Sequence, residues 1–144
     1  QRRRKGFESA ATRNKLKQIV IEEDSWGMEA GRKAGLELLT KKARPDVVFV
    51  STIMMGIGFI RAAHELGIRI PNEVRVAALH DSDIANYLTP SLTTIHLPTV
   101  EMGSQSVDLL LRIIGGGMPG HLIVDTPPVL VVRDSSAKPK RQIV

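Results

Sequence analysis

The sequence contains no cysteine, one tryptophan, one tyrosine and no long apolar run. Without cysteine there is no disulfide framework, no thiolate nucleophile and no cysteine-containing zinc site. No apolar stretch approaches the roughly 18 residues that cross a bilayer, and the basic residues at the start are not followed by the apolar core of a signal peptide. We therefore expect no export and no membrane insertion, which is consistent with a cytoplasmic protein.

The motifs of common enzymes are also missing. No dinucleotide-binding glycine loop follows a strand-like run, and there is neither a phosphate-binding loop with its lysine nor the Gly-x-Ser-x-Gly turn of serine hydrolases. Gly56 and Gly58 form a weak phosphate signal that is more typical of tight strand-to-helix packing. The four histidines lack the spacing of metal ligands. The sequence therefore predicts no catalysis, no cofactor and no metal site.

The composition is that of one folded globular domain or part of a larger one. The chain has 144 residues, of which 42% are hydrophobic and 24% charged, and domains of about 100–150 residues are the commonest size. Much of the net charge of +5 lies at the two chain ends. Since no aromatic residues are interleaved with these charges, we interpret them as solvated ends rather than as a nucleic-acid-binding face.

Short apolar runs of strand length alternate with longer amphipathic stretches along the whole chain. The predicted strands are residues 19–21, 47–50, 74–79, 93–97, 122–124 and 129–132. Helices are predicted before and between the first three strands and after the fourth, and a polar loop at residues 80–91 separates the third from the fourth. Residues 47–50 are apolar on both faces, as in a central strand. Asp24 and Ser25 are expected to cap the helix that follows them, in which Gly31 and Gly35 are expected to allow close packing on the sheet. The fold class is therefore α/β, with a mostly parallel, doubly wound sheet and flanking helices.

Three stretches of sequence, taken in order, resemble the lactose/galactose repressor family. They are Arg3 with Gly6 and Phe7, residues 65–71 continuing to 90–95, and residues 101–103 followed by 109–111 and 130–136. The resemblance implies a periplasmic-binding-protein-like fold in which a small-molecule effector binds between two lobes. In that family a separate DNA-binding domain and a hinge precede the lobes, and both are absent from this chain.

The resemblance also implies how the chain is divided. Residues 1–92 and 122–136 correspond to part of the C-terminal lobe, without its opening strand. Residues 93–121 correspond to a strand and helix that cross to the N-terminal lobe, and residues 137–144 are expected to form a disordered tail. The apolar side of the helix after residue 99 then lacks its own lobe, so we expect it to pack on another copy, giving a homodimer, or to fold back on its own sheet.

Candidate ligand-binding residues follow the strands, because ligands of open α/β sheets bind at the carboxyl ends of strands. They are Arg3, Trp26, Thr52, Ile53, His80 and Asp81. On the resemblance, Trp26 stacks on the effector and Arg3 reaches its hydroxyl or carboxylate. The alternative for Trp26 is a residue that packs under its neighbours at a helix start. The alternative for Arg3 is a residue of a basic chain end.

Two positions depart from the family pattern and bear on the effector. Ile53 stands where sugar-binding relatives commonly have the aspartate of an Asn-Asp pair, and His80 stands where they have another aspartate, although Asp81 follows. An isoleucine cannot accept a hydrogen bond from a sugar hydroxyl. His80 together with Arg3 suits an anionic or aromatic ligand. The alternative is that His80 has only a structural role.

The sequence thus predicts the ligand-sensing and dimerisation module of a transcription regulator. Its expected partners are a small-molecule effector (a sugar, a nucleoside or an organic acid), a second copy and, in the full-length protein only, operator DNA. The alternative is a sugar-binding protein of a transport system with the same fold.

Overall fold

The computed structural model describes residues 2–137, so the predicted disordered tail lies almost entirely outside the described residues. The elements are α1 (Arg2–Arg13), α2 (Met28–Leu39), β1 (Val47–Val50), α3 (Ile53–Glu65), β2 (Arg75–Leu79), a 3-10 helix (Asp83–Asn86), β3 (Thr93–His96), α4 (Thr99–Ile114) and β4 (Val129–Val131). Within these residues no helix has the length and apolar character to span a membrane.

The four strands form one sheet in the order β1-β2-β3-β4. β1, β2 and β3 are parallel, with Val48 opposite Val76 and Ala78 opposite Thr94. β4 is antiparallel to β3. The expected mostly parallel α/β sheet is confirmed. The predicted boundary between the C-terminal lobe and the crossover segment, at residue 93, falls inside this sheet, because β3 pairs with β2 and β4. The division into lobes stays a prediction.

Helices α2 and α3 pack closely because glycines of each helix face the backbone of the other helix. A Cβ on Gly31 would overlap the Met55 carbonyl, and one on Gly58 would overlap the Met28 carbonyl. Gly35 lies against Ala62 and Phe59 of α3. Close packing at Gly31 and Gly35 was expected, but their partner is α3 and not the sheet.

Three local expectations were wrong. Residues 19–21 and 122–124 are in no strand, because β propensity alone does not form a strand without hydrogen bonds to a neighbouring one. Residues 47–50 form an edge strand of the described sheet, where Val47 is 60% exposed, and not a central one. α2 begins after Gly27, without a side-chain cap from Asp24 or Ser25.

The segment after β4 joins the sheet through Ser135, which is fully buried. Its hydroxyl donates to the Val76 carbonyl oxygen at 2.7 Å and accepts from the Thr93 amide at 2.8 Å. Its backbone pairs with Val76 and with Ser91, each at 2.9 Å. This part of the family motif therefore stabilises the junction of β2 and β3.

Helix α4 presents its apolar side to solvent and buries no residue among those described. The exposed apolar side chains include Val107, Leu110, Leu111 and Ile114. α4 therefore does not fold back on its own sheet, which was one of the two expected arrangements. Packing on another copy stays a prediction.

Candidate ligand-binding cleft

An open cleft of about 610 Å³ lies at the carboxyl-terminal edge of the parallel strands. Its lining comes from α1, from the ends of β1, β2 and β3, and from the turn before β4. The lining residues are Arg3, Phe7, Phe49, Leu79, His80, Ile95, Leu97 and Pro128. This is the edge at which ligands bind in open α/β sheets.

Arg3 joins two separate segments at one end of the cleft. Its Nη1 donates to the Ser51 carbonyl oxygen at 3.1 Å, in the turn after β1. Its guanidinium carbon lies 5.8 Å from the centroid of the Trp26 ring, which is within the range of a cation–π contact. Arg3 is therefore held in an ordered helix, and two of the residues expected at the site, Arg3 and Trp26, are in contact.

Trp26 is 59% exposed and is not buried under the helices. Its carbonyl oxygen accepts a hydrogen bond from the Thr52 hydroxyl at 3.1 Å. The same Thr52 oxygen accepts from the Met55 amide at 3.1 Å and so caps the start of α3. Thr52 is thus brought beside Trp26, but its hydroxyl hydrogen already has a partner.

Ile53 begins α3 and packs, partly buried, against the hydrophobic core. It is not among the residues that line the cleft. His80 does line the cleft and follows β2 directly. Its φ of 69° lies in the left-handed region, which residues other than glycine seldom adopt. The chain therefore turns sharply at His80, where the predicted site is located.

Asp81 lies next to His80 but contacts protein groups away from the cleft lining. Its Oδ1 accepts from the Thr94 hydroxyl and pairs with Arg133 Nη2 at 2.9 Å, and its Oδ2 lies 3.8 Å from His96 Nδ1. Burial by itself raises the pKa of Asp81. The hydrogen bonds from Thr94 and Arg133, followed by the charge of Arg133 and the Ser82 amide, outweigh burial and lower this pKa below its ordinary value. Asp81 is held as a carboxylate.

Arg133 also lies in this region, and the sequence predicted no role for it. Besides Asp81, its guanidinium contacts Asn86 Oδ1 at 2.7 Å, the Leu92 carbonyl oxygen at 3.0 Å and the Thr94 hydroxyl at 2.7 Å. It was part of the quoted motif at residues 130–136, but only the fold reveals its partners. Arg133 orders the loop between β2 and β3.

Several apolar lining residues were also missed as site residues. Phe7 follows Arg3 by four residues on α1, a spacing that places two side chains on one face of a helix. That spacing was readable in the sequence. The sequence did not show that Phe49, Ile95, Leu97 and Pro128 line the same cleft, because their proximity depends on strand register.

Comparisons with known proteins agree with this geometry. A family described as periplasmic binding protein-like domain matches residues 1–136. Among curated relatives, the HTH-type transcriptional repressor PurR of Edwardsiella ictaluri is 38% identical over 109 residues, which are 76% of this chain and 32% of that protein. PurR of Proteus mirabilis is 34% identical over 137 residues, which are 94% of this chain and 40% of that protein.

Solved structures of regulators superpose on nearly the whole chain. The lac repressor dimer bound to operator and the anti-inducer ONPF matches with a TM-score of 0.84 and 28% identity, over 94% of this chain and 47% of that one. A LacI family transcriptional regulator from Mycobacterium smegmatis matches with a TM-score of 0.84 and 27% identity, over 94% and 52%. The chain thus spans between about a third and two fifths of the length of these curated relatives and about half of these solved chains.

Proposed function

Because the chain belongs to the family of periplasmic binding protein-like domains, in its lactose/galactose repressor branch, we propose that it senses a small-molecule effector for a DNA-binding transcription regulator. In this proposal residues 1–92 and 122–136 form part of the C-terminal lobe and residues 93–121 cross to the other lobe. The full-length regulator binds operator DNA through a separate domain, acts in the cytoplasm and is a homodimer. It is not an enzyme.

The observation that carries the proposal is that Arg3, which is in contact with Trp26, lines the same cleft as His80 at the carboxyl edge of the strands. Arg3 is held between the Trp26 ring and the Ser51 carbonyl oxygen, and Arg3 and His80 both line the cleft. A charged group already oriented before binding loses less conformational entropy when a ligand arrives. The arrangement suits recognition of a small molecule.

The cleft also suggests how binding is transmitted. Its walls come from α1 and from the carboxyl-terminal ends of β1, β2 and β3, so a ligand contacting them bridges elements that are distant in sequence. A ligand changes operator affinity only if it binds one arrangement of the lobes more tightly than the other. We propose that closure of the second lobe over this cleft supplies that difference.

A transport binding protein with the same fold is less well supported. The relatives with sequence identities of 38% and 34% are named transcriptional repressors, and two of the superposed structures are a repressor and a transcriptional regulator. The proposed homodimer has its own support in the exposed apolar side of α4. Light scattering at micromolar concentration is expected to show a dimer, and a monodisperse monomer with an ordered, exposed α4 contradicts this part of the proposal.

The experiment is a thermal-shift screen of sugars, nucleosides and organic acids on the full-length protein, followed by operator-binding titrations with each hit. A hundredfold excess over the dissociation constant stabilises the folded state by about 2.7 kcal/mol. Arg3→Ala is expected to abolish the shift. Arg61→Ala is the matched control, because Arg61 lies on the surface of α3 and pairs only with Glu65 among the described residues. A hit that leaves operator affinity unchanged contradicts the proposed function.

A further inference from the structure

The chemistry of the cleft narrows the ligand class. Resting on the proposed function, we infer that the cleft binds a small apolar or aromatic molecule carrying one carboxylate, rather than a neutral sugar. Three features of the described residues support this inference: the apolar walls, the absence of free carboxylate acceptors, and an arginine without an acidic partner.

The walls of the cleft are mainly hydrocarbon. Only Arg3 and His80 among the lining residues are polar, and the other side chains are those of Phe7, Phe49, Leu79, Ile95, Leu97 and Pro128. A sugar would transfer several hydroxyl groups from water to surfaces that cannot hydrogen-bond them, which opposes binding. An aromatic or branched aliphatic body gains from the same surfaces.

The acceptors that a sugar would need are missing or already engaged. Ile53 has no polar side-chain atom, and the Thr52 hydroxyl donates to the Trp26 carbonyl oxygen while accepting from an amide. The Asp81 carboxylate is held by Thr94 and Arg133 and does not line the cleft. No aspartate or glutamate is among the lining residues.

The charge at the cleft is positive and uncompensated. Arg4, next in sequence, takes the nearby acids Glu8 and Glu22 as its partners. Among the ion pairs of the described residues none includes Arg3, whose guanidinium instead contacts the Ser51 carbonyl oxygen and the Trp26 ring. Arginine has five N–H donors in a planar fork that matches a carboxylate, so donors remain after the bond to Ser51. The combination of Arg3 with an apolar wall fits an apolar monocarboxylate.

The test is calorimetric titration of the full-length protein with benzoate, phenylacetate and cinnamate, each beside its own amide, together with galactose and adenosine. The amides preserve size and aromatic surface but remove the charge. At least one acid is expected to bind ten times or more tightly than its amide and than galactose or adenosine. Arg3→Gln is expected to remove this preference, whereas the control Arg61→Gln keeps it.

Three results would overturn the inference: equal binding of acids and amides, tighter binding of galactose or adenosine, or no binding of any acid. The proposed function is judged separately, from operator affinity. A neutral ligand that alters operator affinity overturns the ligand class and leaves the proposed function standing. An acid that binds through Arg3 without altering operator affinity supports the ligand class and contradicts the proposed function.

Discussion

Replacing Gly58 with alanine tests the close packing of α2 on α3. The added Cβ would overlap the Met28 carbonyl oxygen and lie 2.7 Å from the Arg32 amide nitrogen and 2.8 Å from the Met28 carbonyl carbon. Carbon atoms rest about 3.5–4.0 Å apart, so the two helices must separate by roughly an ångström. The obstructing atoms belong to the backbone and cannot rotate away as a flexible side chain would.

The expected loss of stability follows from two opposing effects. Overpacking costs about 1–3 kcal/mol, and more where backbones must move, while alanine's higher helix propensity offsets about 1 kcal/mol. Separation of the helices also loosens the contacts of Phe59, which is 2% exposed. We expect Gly58→Ala to lower the free energy of unfolding by about 1–2 kcal/mol, which corresponds to a fall in Tm of roughly 3–8 °C.

The assay is thermal and urea unfolding of the 144-residue chain followed by circular dichroism. Gly103→Ala is the control, because a Cβ at this position of α4 meets no atom within 4 Å. It is expected to stabilise the chain by up to about 1 kcal/mol. If Gly58→Ala is as stable as the unsubstituted chain, the described approach of α2 and α3 is incorrect.

Four further outcomes are expected. Ser135→Ala leaves the Val76 carbonyl and the Thr93 amide without their buried partner, so the urea midpoint should fall by the equivalent of about 2–4 kcal/mol; an unchanged midpoint contradicts this role. The pKa of Asp81 is lowered in the folded state, so its contribution to stability is present above its unfolded pKa and disappears as the pH falls through the lower folded value. Asp81→Asn should therefore destabilise the chain at neutral pH and make its free energy of unfolding fall less steeply below about pH 4. If the substituted and unsubstituted chains lose stability identically in acid, the lowered pKa of Asp81 is refuted. Gly67 has a φ of 67°, and Gly67→Ala should cost about 1 kcal/mol of stability, with Gly67→Asn less harmful; equal stability of all three forms argues against the left-handed turn. Finally, the 144-residue chain alone should bind DNA without sequence preference and ever more weakly as salt rises, because in the proposed division the recognition helix belongs to a separate DNA-binding domain. A sequence-selective mobility shift at physiological salt contradicts this.

Local sequence signals determined most of the elements. The apolar run at 47–50 and the run at 74–79 became β1 and β2, and α3 ends just before Gly67, which has a positive φ. These features depend on neighbouring residues, through the periodicity of apolar side chains and the backbone freedom of glycine. The apolar side of α4 was readable for the same reason. The resemblance to the repressors indicated the family, but it did not indicate which residues contact one another.

Only the tertiary structure decided which segments found partners. The run at 19–21 has strong β propensity but is part of no strand, and β1 became an edge because strand order depends on pairing between distant segments. The roles of the polar residues were decided in the same way. Asp81 was expected at the ligand, yet Arg133, far along the chain, holds its carboxylate, while Arg3 contacts the ring of Trp26. Periodicity and propensity describe what a segment does with its own neighbours, whereas the energy of a charge or an unpaired strand depends on what the fold brings next to it.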